Sequence, residues 1–227
     1  MLKKELLNKI KTAAQKYLSC KSHDFEHSER VYRNCLLIAK NEKDVDYEIL
    51  ETAAFLHDIG ESKEATCKDG SIDHAKEGAK MAQSILEKIG FPKEKIKTVK
   101  HCIESHRFKN NIVPKTIEAK ILFDADKIDS LGVIGVARHF MWIGKYNAYL
   151  YKEPEDVSLY LKENFTSGEN GRIKDKSAHS CQIEYKIKLK NLPKKLYTKT
   201  GKAIAKKRLG YFKNFLDDLK KEVFGLM

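Results

Sequence analysis

Apolar residues recur at helical spacing along almost the whole chain. Leu2, Leu6, Ile10 and Ala13 form one face of the first segment, and the same spacing of three or four residues returns in later segments. Only four prolines occur in 227 residues, and no run of alternating apolar and polar residues persists long enough for a strand. The pattern predicts an all-α protein, a helical bundle with additional C-terminal helices.

The helical patterns and the composition divide the chain into three predicted parts. Residues 1–150 contain the strongest helical patterns, and we expect them to form the core domain. Residues 151–177 include the stretch TSGENG at 166–171 and have the composition of an exposed loop or lid. Residues 178–227 are predicted to form basic helices that pack on the same domain.

Positive charge is concentrated in the C-terminal part. Residues 172–213 contain 14 Lys and Arg against two acidic residues, an excess equal to the chain's net charge of +12. Such a segment can bind phosphate, nucleic acid or an anionic membrane, or it can be a solvated lysine-rich helix face.

No apolar stretch approaches the roughly 20 residues of a membrane span, and the lysine-interleaved start is not typical of a signal peptide. Five scattered cysteines favour reduced thiols, so we expect a cytoplasmic protein without a membrane partner.

The ten residues AAFLHDIGES, at 53–62, place polar side chains in an apolar helix. Burying unpaired polar or charged groups costs several kcal/mol, so His57 and Asp58 need partners. His27 and Asp126 also follow the apolar faces of their own predicted helices. These four side chains could converge inside a bundle. Two imidazoles and two carboxylates are a suitable ligand set for a divalent metal.

The order of these residues is similar to that in a known family. HDFEHSERVYRNCLLIA, AAFLHDIGES and FDADKIDSLG resemble the motifs of the HD-domain superfamily of metal-dependent phosphohydrolases. In the last motif the family's aspartate corresponds to Asp126, rather than to Asp124 or Asp129. The resemblance covers about residues 20–140, and the C-terminal stretch is similar to the tail of small, stand-alone predicted HD hydrolases.

The resemblance implies an HD-domain helical bundle and a divalent metal held by His27, His57, Asp58 and Asp126. It also implies hydrolysis of a phosphoester or phosphoanhydride bond in a small phosphorylated substrate, which we expect to be a nucleotide. Manganese, iron, cobalt, nickel, zinc and magnesium are all chemically suitable. The sequence leaves the metal, the cleaved bond and the oligomeric state undetermined.

Further residues receive roles through the same resemblance. Glu61 follows Asp58 by three residues, where some family members have a catalytic acidic residue, so Glu61 and Asp58 are the predicted catalytic residues. A solvent-facing Glu61 without a catalytic role is the alternative. Arg30 and Lys127, or the basic tail, are predicted to attract the phosphate of the substrate.

Two more histidines lie on apolar helix faces. The segments around His74 and His106 resemble those that supply extra histidines in two-metal HD proteins. These side chains are predicted either to bind a second metal, which Asp58 would bridge to the first, or to bind substrate phosphate beside a single metal. A purely structural role is the third alternative.

Other functions share part of this pattern. A cyclic-dinucleotide phosphodiesterase is disfavoured because the chain lacks a GYP triplet, and an alarmone hydrolase because it lacks the length of an attached synthetase domain. An HD-type di-iron oxygenase would need two redox-active irons, so the identity of the bound metal and a dependence on oxygen distinguish it from the hydrolase. A non-catalytic nucleic-acid-binding module would use the basic segment, but such a module needs no buried histidines and aspartates, so it is not favoured.

Overall fold

The computed structural model describes residues 2–20, 23–67, 71–108, 111–166 and 171–226. These ranges contain twelve α-helices, one 3-10 helix and two antiparallel strands of two residues each, which confirms the all-α prediction. In chain order the elements are α1 Lys4–Gln15, β1 Ser19–Cys20, β2 His23–Asp24, α2 Phe25–Ala39, α3 Tyr47–Leu56, α4 Glu61–Thr66, α5 His74–Lys88, α6 Lys93–Ser105, α7 Ile117–Ile128, α8 Gly132–Tyr146, α9 Val157–Asn164, α10 Cys181–Ile187, the 3-10 turn Leu189–Asn191, α11 Leu192–Lys195 and α12 Lys199–Val223. Among the described helices, none is both long and apolar enough to cross a lipid bilayer.

The chain divides into two compact units. The first contains Met1–Asp126 and Leu196–Gly201, and the second contains Lys127–Lys195 and Lys202–Met227. The boundary therefore differs from the predicted one at residue 150. The structure groups α8 with most of the C-terminal helices because α8 packs against α10.

Asp side chains define where two helices of the first unit begin. Asp46 Oδ1 accepts hydrogen bonds from the backbone N–H groups of Glu48 and Ile49 at the start of α3. Asp73 caps α5 in the same way. A carboxylate at this position pairs backbone donors that the helix itself leaves unpaired, a contribution of about 1 kcal/mol per cap.

Helix α3 is the central helix of the first unit. Every residue from Ile49 to Leu56 is buried, whereas a surface helix would expose one face. The helix packs against α1, α2 and α6. Because α3 is buried around its circumference, the residues that follow it, His57 and Asp58, lie in the protein interior.

The predicted loop or lid at 151–177 is not irregular throughout. It contains α9, in which Asp156 caps the first turn and Val157, Tyr160 and Leu161 pack against a small apolar core of the second unit. The apolar spacing in α9 spans only eight residues, too short to distinguish a helix from a connector by periodicity. Residues 167–170, most of the TSGENG stretch, lie outside the described residues.

Gly60 is a point of backbone-to-backbone contact in the first unit. A Cβ atom at Gly60 would lie 2.3 Å from the carbonyl oxygen of His74 and 2.7 Å from the backbone nitrogen of Gly78. Backbone atoms cannot move aside as a flexible side chain can. Only a residue without a side chain therefore permits the turn after α3 to approach α5 this closely.

Gly60→Ala is expected to lower the free energy of unfolding by at least the roughly 1–3 kcal/mol that overpacking usually costs. Chemical denaturation followed by circular dichroism measures the change. Gly210→Ala is the matched control, because no described atom outside the backbone of its own helix and its chain neighbours lies within 4 Å of a Cβ there, and alanine is the better helix former. Equal stability of the two variants would contradict the close packing at Gly60.

Candidate metal centre

Five separate elements of the first unit bring histidine and aspartate side chains to one place. His27 lies in the first turn of α2, His57 and Asp58 follow α3, His74 is the first residue of α5, His106 follows α6, and Asp126 lies near the end of α7. The first five of these six residues are buried, and the side chain of Asp126 is 16% exposed. Up to 99 positions separate these residues along the chain, so only the folded structure brings them together.

The carboxylate of Asp58 lies between two pairs of imidazoles. Its Oδ2 atom is 3.6 Å from Nε2 of His27 and 3.4 Å from Nε2 of His57. Its Oδ1 atom is 3.3 Å from Nε2 of His106 and 3.6 Å from Nε2 of His74. Each oxygen of one carboxylate therefore faces two ring nitrogens.

Backbone carbonyls orient two of the four rings. Nδ1 of His57 is 2.9 Å from the carbonyl oxygen of Ala54, and Nδ1 of His106 is 2.6 Å from that of Ile103. A carbonyl only accepts, so Nδ1 carries the proton and the neutral ring keeps its lone pair on Nε2. Metal-binding histidines commonly have this arrangement, in which the far nitrogen is fixed by a backbone or carboxylate oxygen.

The donor set fits a divalent cation. Among the described residues, three groups of three have all their ligand atoms within 4.8 Å of one another. Two of them share Asp58, one with His27 and His57 and one with His74 and His106, and the third is the less buried group of Glu61, Glu64 and His74. Within the described chain, the buried Nε2 atom of His57 has no hydrogen-bond partner. A cation between these atoms would satisfy that lone pair and offset the burial of the Asp58 charge. Nitrogen and carboxylate oxygen donors suit Mn, Fe, Co, Ni and Zn.

The structure distinguishes the three aspartates of the FDADKID stretch by their contacts. Oδ1 of Asp126 lies 3.4 Å from Nε2 of His27. Asp124 instead accepts hydrogen bonds from the backbone of Tyr197 and from the backbone and hydroxyl of Thr198. Asp129 forms an ion pair with Arg138 at 2.7 Å. Of the three, Asp126 is therefore the one beside the histidines, and its role as a metal ligand stays a prediction.

Two glutamates of α4 lie behind His74. Nδ1 of His74 is 2.9 Å from Oε2 of Glu61 and 2.6 Å from Oε2 of Glu64. This nitrogen is on the opposite side of the ring from Nε2, which faces Asp58. Glu61 thus adjoins the histidine cluster, at 23% side-chain exposure, rather than pointing into open solvent.

The two histidines on Oδ1 of Asp58 differ in their electrostatics. Burial lowers the pKa of His106 to about 4, although the hydrogen bond to Asp58 opposes the shift. Burial also lowers the pKa of His74, but hydrogen bonds to Glu61 and Glu64 outweigh it and raise the pKa to about 10. Burial raises the pKa of Glu64, yet its hydrogen bonds to His74 and Arg107 prevail and lower it to about 2.

Arg30 and Lys127, predicted to attract phosphate, have half-buried side chains. Arg30 follows His27 by three residues in α2, and Lys127 directly follows Asp126 in α7. Their role in binding phosphate stays a prediction.

Glu64 and Arg107 were missed from the sequence. Glu64 lies one helical turn after Glu61, a spacing that puts two carboxylates on one helix face and could have indicated a shared target. Arg107 directly follows His106, but its partners Glu64 and Asp73 lie 43 and 34 positions away. Nothing in the local pattern indicates contacts over that distance.

Comparison with known proteins identifies relatives for most of the chain. Residues 24–131 match the family model of the HD domain. The uncharacterized protein YpgQ of Bacillus subtilis strain 168 is 27% identical over 223 residues, which covers 96% of this chain and 93% of YpgQ.

Solved structures show the same fold. An HD-superfamily hydrolase from Bacillus thuringiensis superposes with a TM-score of 0.68 at 26% identity, over 97% of this chain and 98% of that chain. The crystal structure of Bacillus subtilis YpgQ in complex with ADP gives a TM-score of 0.68 at 24% identity, over 96% of this chain and 95% of that chain. At the latter identity the likeness shows a shared fold.

Proposed function

Because this chain carries an HD domain over residues 24–131, we propose that it is a metal-dependent phosphohydrolase that acts on a small phosphorylated compound, most simply a nucleotide. The observation that carries the proposal is the position of Asp58, whose two oxygens each lie within 3.6 Å of two imidazole nitrogens. A buried carboxylate surrounded by four imidazoles is typical of a cation site and unusual in an apolar core.

His27, His57, Asp58 and Asp126 would hold one divalent ion. His74 and His106, with the second oxygen of Asp58, would hold another. The equivalence of His57 and His106 supports two positions, because each follows a helix and is oriented by the carbonyl three residues earlier. In the alternative, His74 and His106 bind substrate phosphate beside a single ion, and the number of bound ions distinguishes the two arrangements.

A divalent ion bound there would supply a Lewis acid for the phosphoryl group and increase the acidity of a water molecule. The chain's own residues would supply the remaining functions. Glu61 is the candidate general base, because its carboxylate adjoins the cluster and retains partial exposure. Arg30 and Lys127 are the candidate groups for binding phosphate oxygens.

A nucleotide is the favoured substrate class. YpgQ, similar over nearly the whole chain, has been crystallised with ADP, a compound with the phosphoanhydride bond that this reaction class cleaves. The test is incubation of the purified protein with a panel of nucleoside mono-, di- and triphosphates and several divalent metals. We expect release of phosphate or pyrophosphate that requires a metal. Metal-loaded protein that hydrolyses no member of the panel would contradict the proposal.

A di-iron oxygenase is the second candidate, because one carboxylate between two sets of nitrogen ligands also suits a pair of irons. The two candidates differ in their need for oxygen. Hydrolysis continues without oxygen and with redox-inert zinc or magnesium. An activity that appears only with iron and consumes oxygen would favour the oxygenase.

The number of ions is predicted to depend on His74 and His106. Metal-replete protein should approach two ions per chain, and the double variant His74→Ala/His106→Ala should retain one, because the pair around His27 and His57 is untouched. Elemental analysis after removal of loosely bound metal measures this. His101→Ala is the matched control, a histidine of α6 that accepts a hydrogen bond from the backbone of Lys115 instead. One ion in both the parent and the double variant would support the phosphate-binding alternative.

A further inference from the structure

The side of His74 that faces away from Asp58 is held by Glu64. Oε2 of Glu64 is 2.6 Å from Nδ1 of the ring, and the backbone N–H of His74 donates to the same oxygen at 3.3 Å. Glu64 therefore fixes both the ring and the first backbone donor of α5. Glu61 approaches the same ring nitrogen at 2.9 Å.

Arg107 holds Glu64 in turn. One guanidinium nitrogen lies 2.9 Å from Oε1 of Glu64, and the other lies 3.0 Å from Oδ2 of Asp73, the residue that caps α5. The side chains of Glu64 and Arg107 are only 13% and 15% exposed, so solvent screens this pair less than a surface pair. Because Arg107 directly follows His106, the contact also connects the two histidines that face Oδ1 of Asp58.

His74 needs such a partner more than the other oriented rings do. His57 and His106 each end a helix and use the carbonyl three residues earlier in that helix. His74 instead begins α5, so no preceding helical turn offers a carbonyl to its Nδ1 atom. In this structure the two glutamates of α4 supply the acceptors.

We propose that Glu64 and Arg107 are positioning residues for the metal centre. Arg107 holds Glu64, and Glu64 turns Nε2 of His74 towards Oδ1 of Asp58, which completes the second metal position. The inference rests on the two-ion centre of the proposed function, and it does not depend on the identity of the substrate.

The test is titration of the full-length, metal-free protein with Mn²⁺ alone, followed by calorimetry and electron paramagnetic resonance. In Glu64→Ala the first ion should bind as in the parent, whereas the affinity for the second should fall about 10–100-fold, as for loss of a residue that orients a ligand. Glu61 remains beside the ring, so complete loss is not expected. The signal of a coupled Mn²⁺ pair should weaken in parallel.

Conservative substitutions distinguish a loss of ring orientation from a general loss of folded structure. Glu64→Gln keeps an oxygen that can accept from Nδ1 and should recover most of the affinity. Arg107→Ala should lower the affinity for the second ion. The affinity of Arg107→Lys should lie between those of Arg107→Ala and the parent, because lysine supplies the charge without the forked contact. If Glu64→Ala does not fold, the Arg107 variants provide the same test of affinity for the second ion.

Glu77→Ala is the matched control. Glu77 of α5 forms an ion pair with Lys63 of α4 at 2.7 Å, so it connects the same two helices without contacting His74. It should bind both ions as the parent does. An equal loss in Glu77→Ala would show that helix docking matters rather than ring orientation, and would overturn the inference.

Parental affinity for the second ion in both Glu64→Ala and Arg107→Ala would also overturn it, as would a parent protein that binds one ion or none. Failure of the proposed function looks different. The parent could bind two Mn²⁺ ions and show the expected losses in the variants, yet hydrolyse nothing in the nucleotide panel. That result would support the positioning role and contradict only the phosphohydrolase assignment.

Discussion

Asp58→Ala is expected to remove bound metal and hydrolytic activity together. Among the residues that the structure describes, Asp58 contributes the only carboxylate that faces all four histidines within 3.6 Å, so its loss withdraws a ligand from both proposed metal positions. The fall in activity should exceed the roughly 10–100-fold that follows loss of a residue behind the ligands. Elemental analysis and the rate of nucleotide hydrolysis measure the two effects.

Asp129→Asn is the control for this variant. It removes another buried carboxylate charge, which forms an ion pair with Arg138 in the second unit. Circular dichroism establishes that both variants fold. If Asp58→Ala kept the metal content and activity of the parent, the proposed centre would be wrong.

Glu61→Gln is expected to lower kcat about 10²–10⁴-fold and to leave the metal content unchanged, because general-base assistance is typically worth that factor. Glutamine is nearly the same size as glutamate and keeps an oxygen near Nδ1 of His74, but it is a far weaker base. Substrate affinity should survive, since Arg30 and Lys127 are unaltered. Steady-state kinetics at saturating metal measures kcat separately from KM.

Glu64→Gln is the matched comparison, because Glu61 and Glu64 both contact Nδ1 of the same ring. An effect through the orientation or charge of His74 would appear in both variants and would diminish when excess metal is supplied. An effect through proton removal would appear only in Glu61→Gln and would persist at any metal concentration. Equal kcat values in the parent and a folded, metal-loaded Glu61→Gln variant would exclude Glu61 from the reaction.

Helix periodicity made part of this arrangement predictable. The all-α class follows from apolar spacing, and His27 and Asp126 could be assigned to interior faces because the residues one and two turns away are apolar. The structure brings these side chains together with His57 and Asp58. Their role as ligands stays a prediction that the metal measurements address.

Tertiary contacts account for what the sequence could not predict. Which oxygen of Asp58 faces which histidine depends on how five elements pack, and the Glu64–Arg107 ion pair joins positions 43 residues apart. The same limit applies to the unit boundary after Asp126, which falls inside the continuous helix α7. A local sequence pattern indicates which face of a helix is buried, but it does not identify the residues that pack against that face.

The shared carboxylate of Asp58 would make the two proposed metal positions thermodynamically dependent on each other. A cation held by Oδ2 would withdraw electron density from Oδ1 and repel a second cation, but it would also fix the carboxylate and so reduce the entropic cost of binding the second ion. Whichever term dominates, linkage requires that each ion change the affinity for the other by the same factor. The protein would therefore respond to the concentration of free metal with a graded change in occupancy, and the half-loaded form would be a distinct species whose abundance that coupling sets.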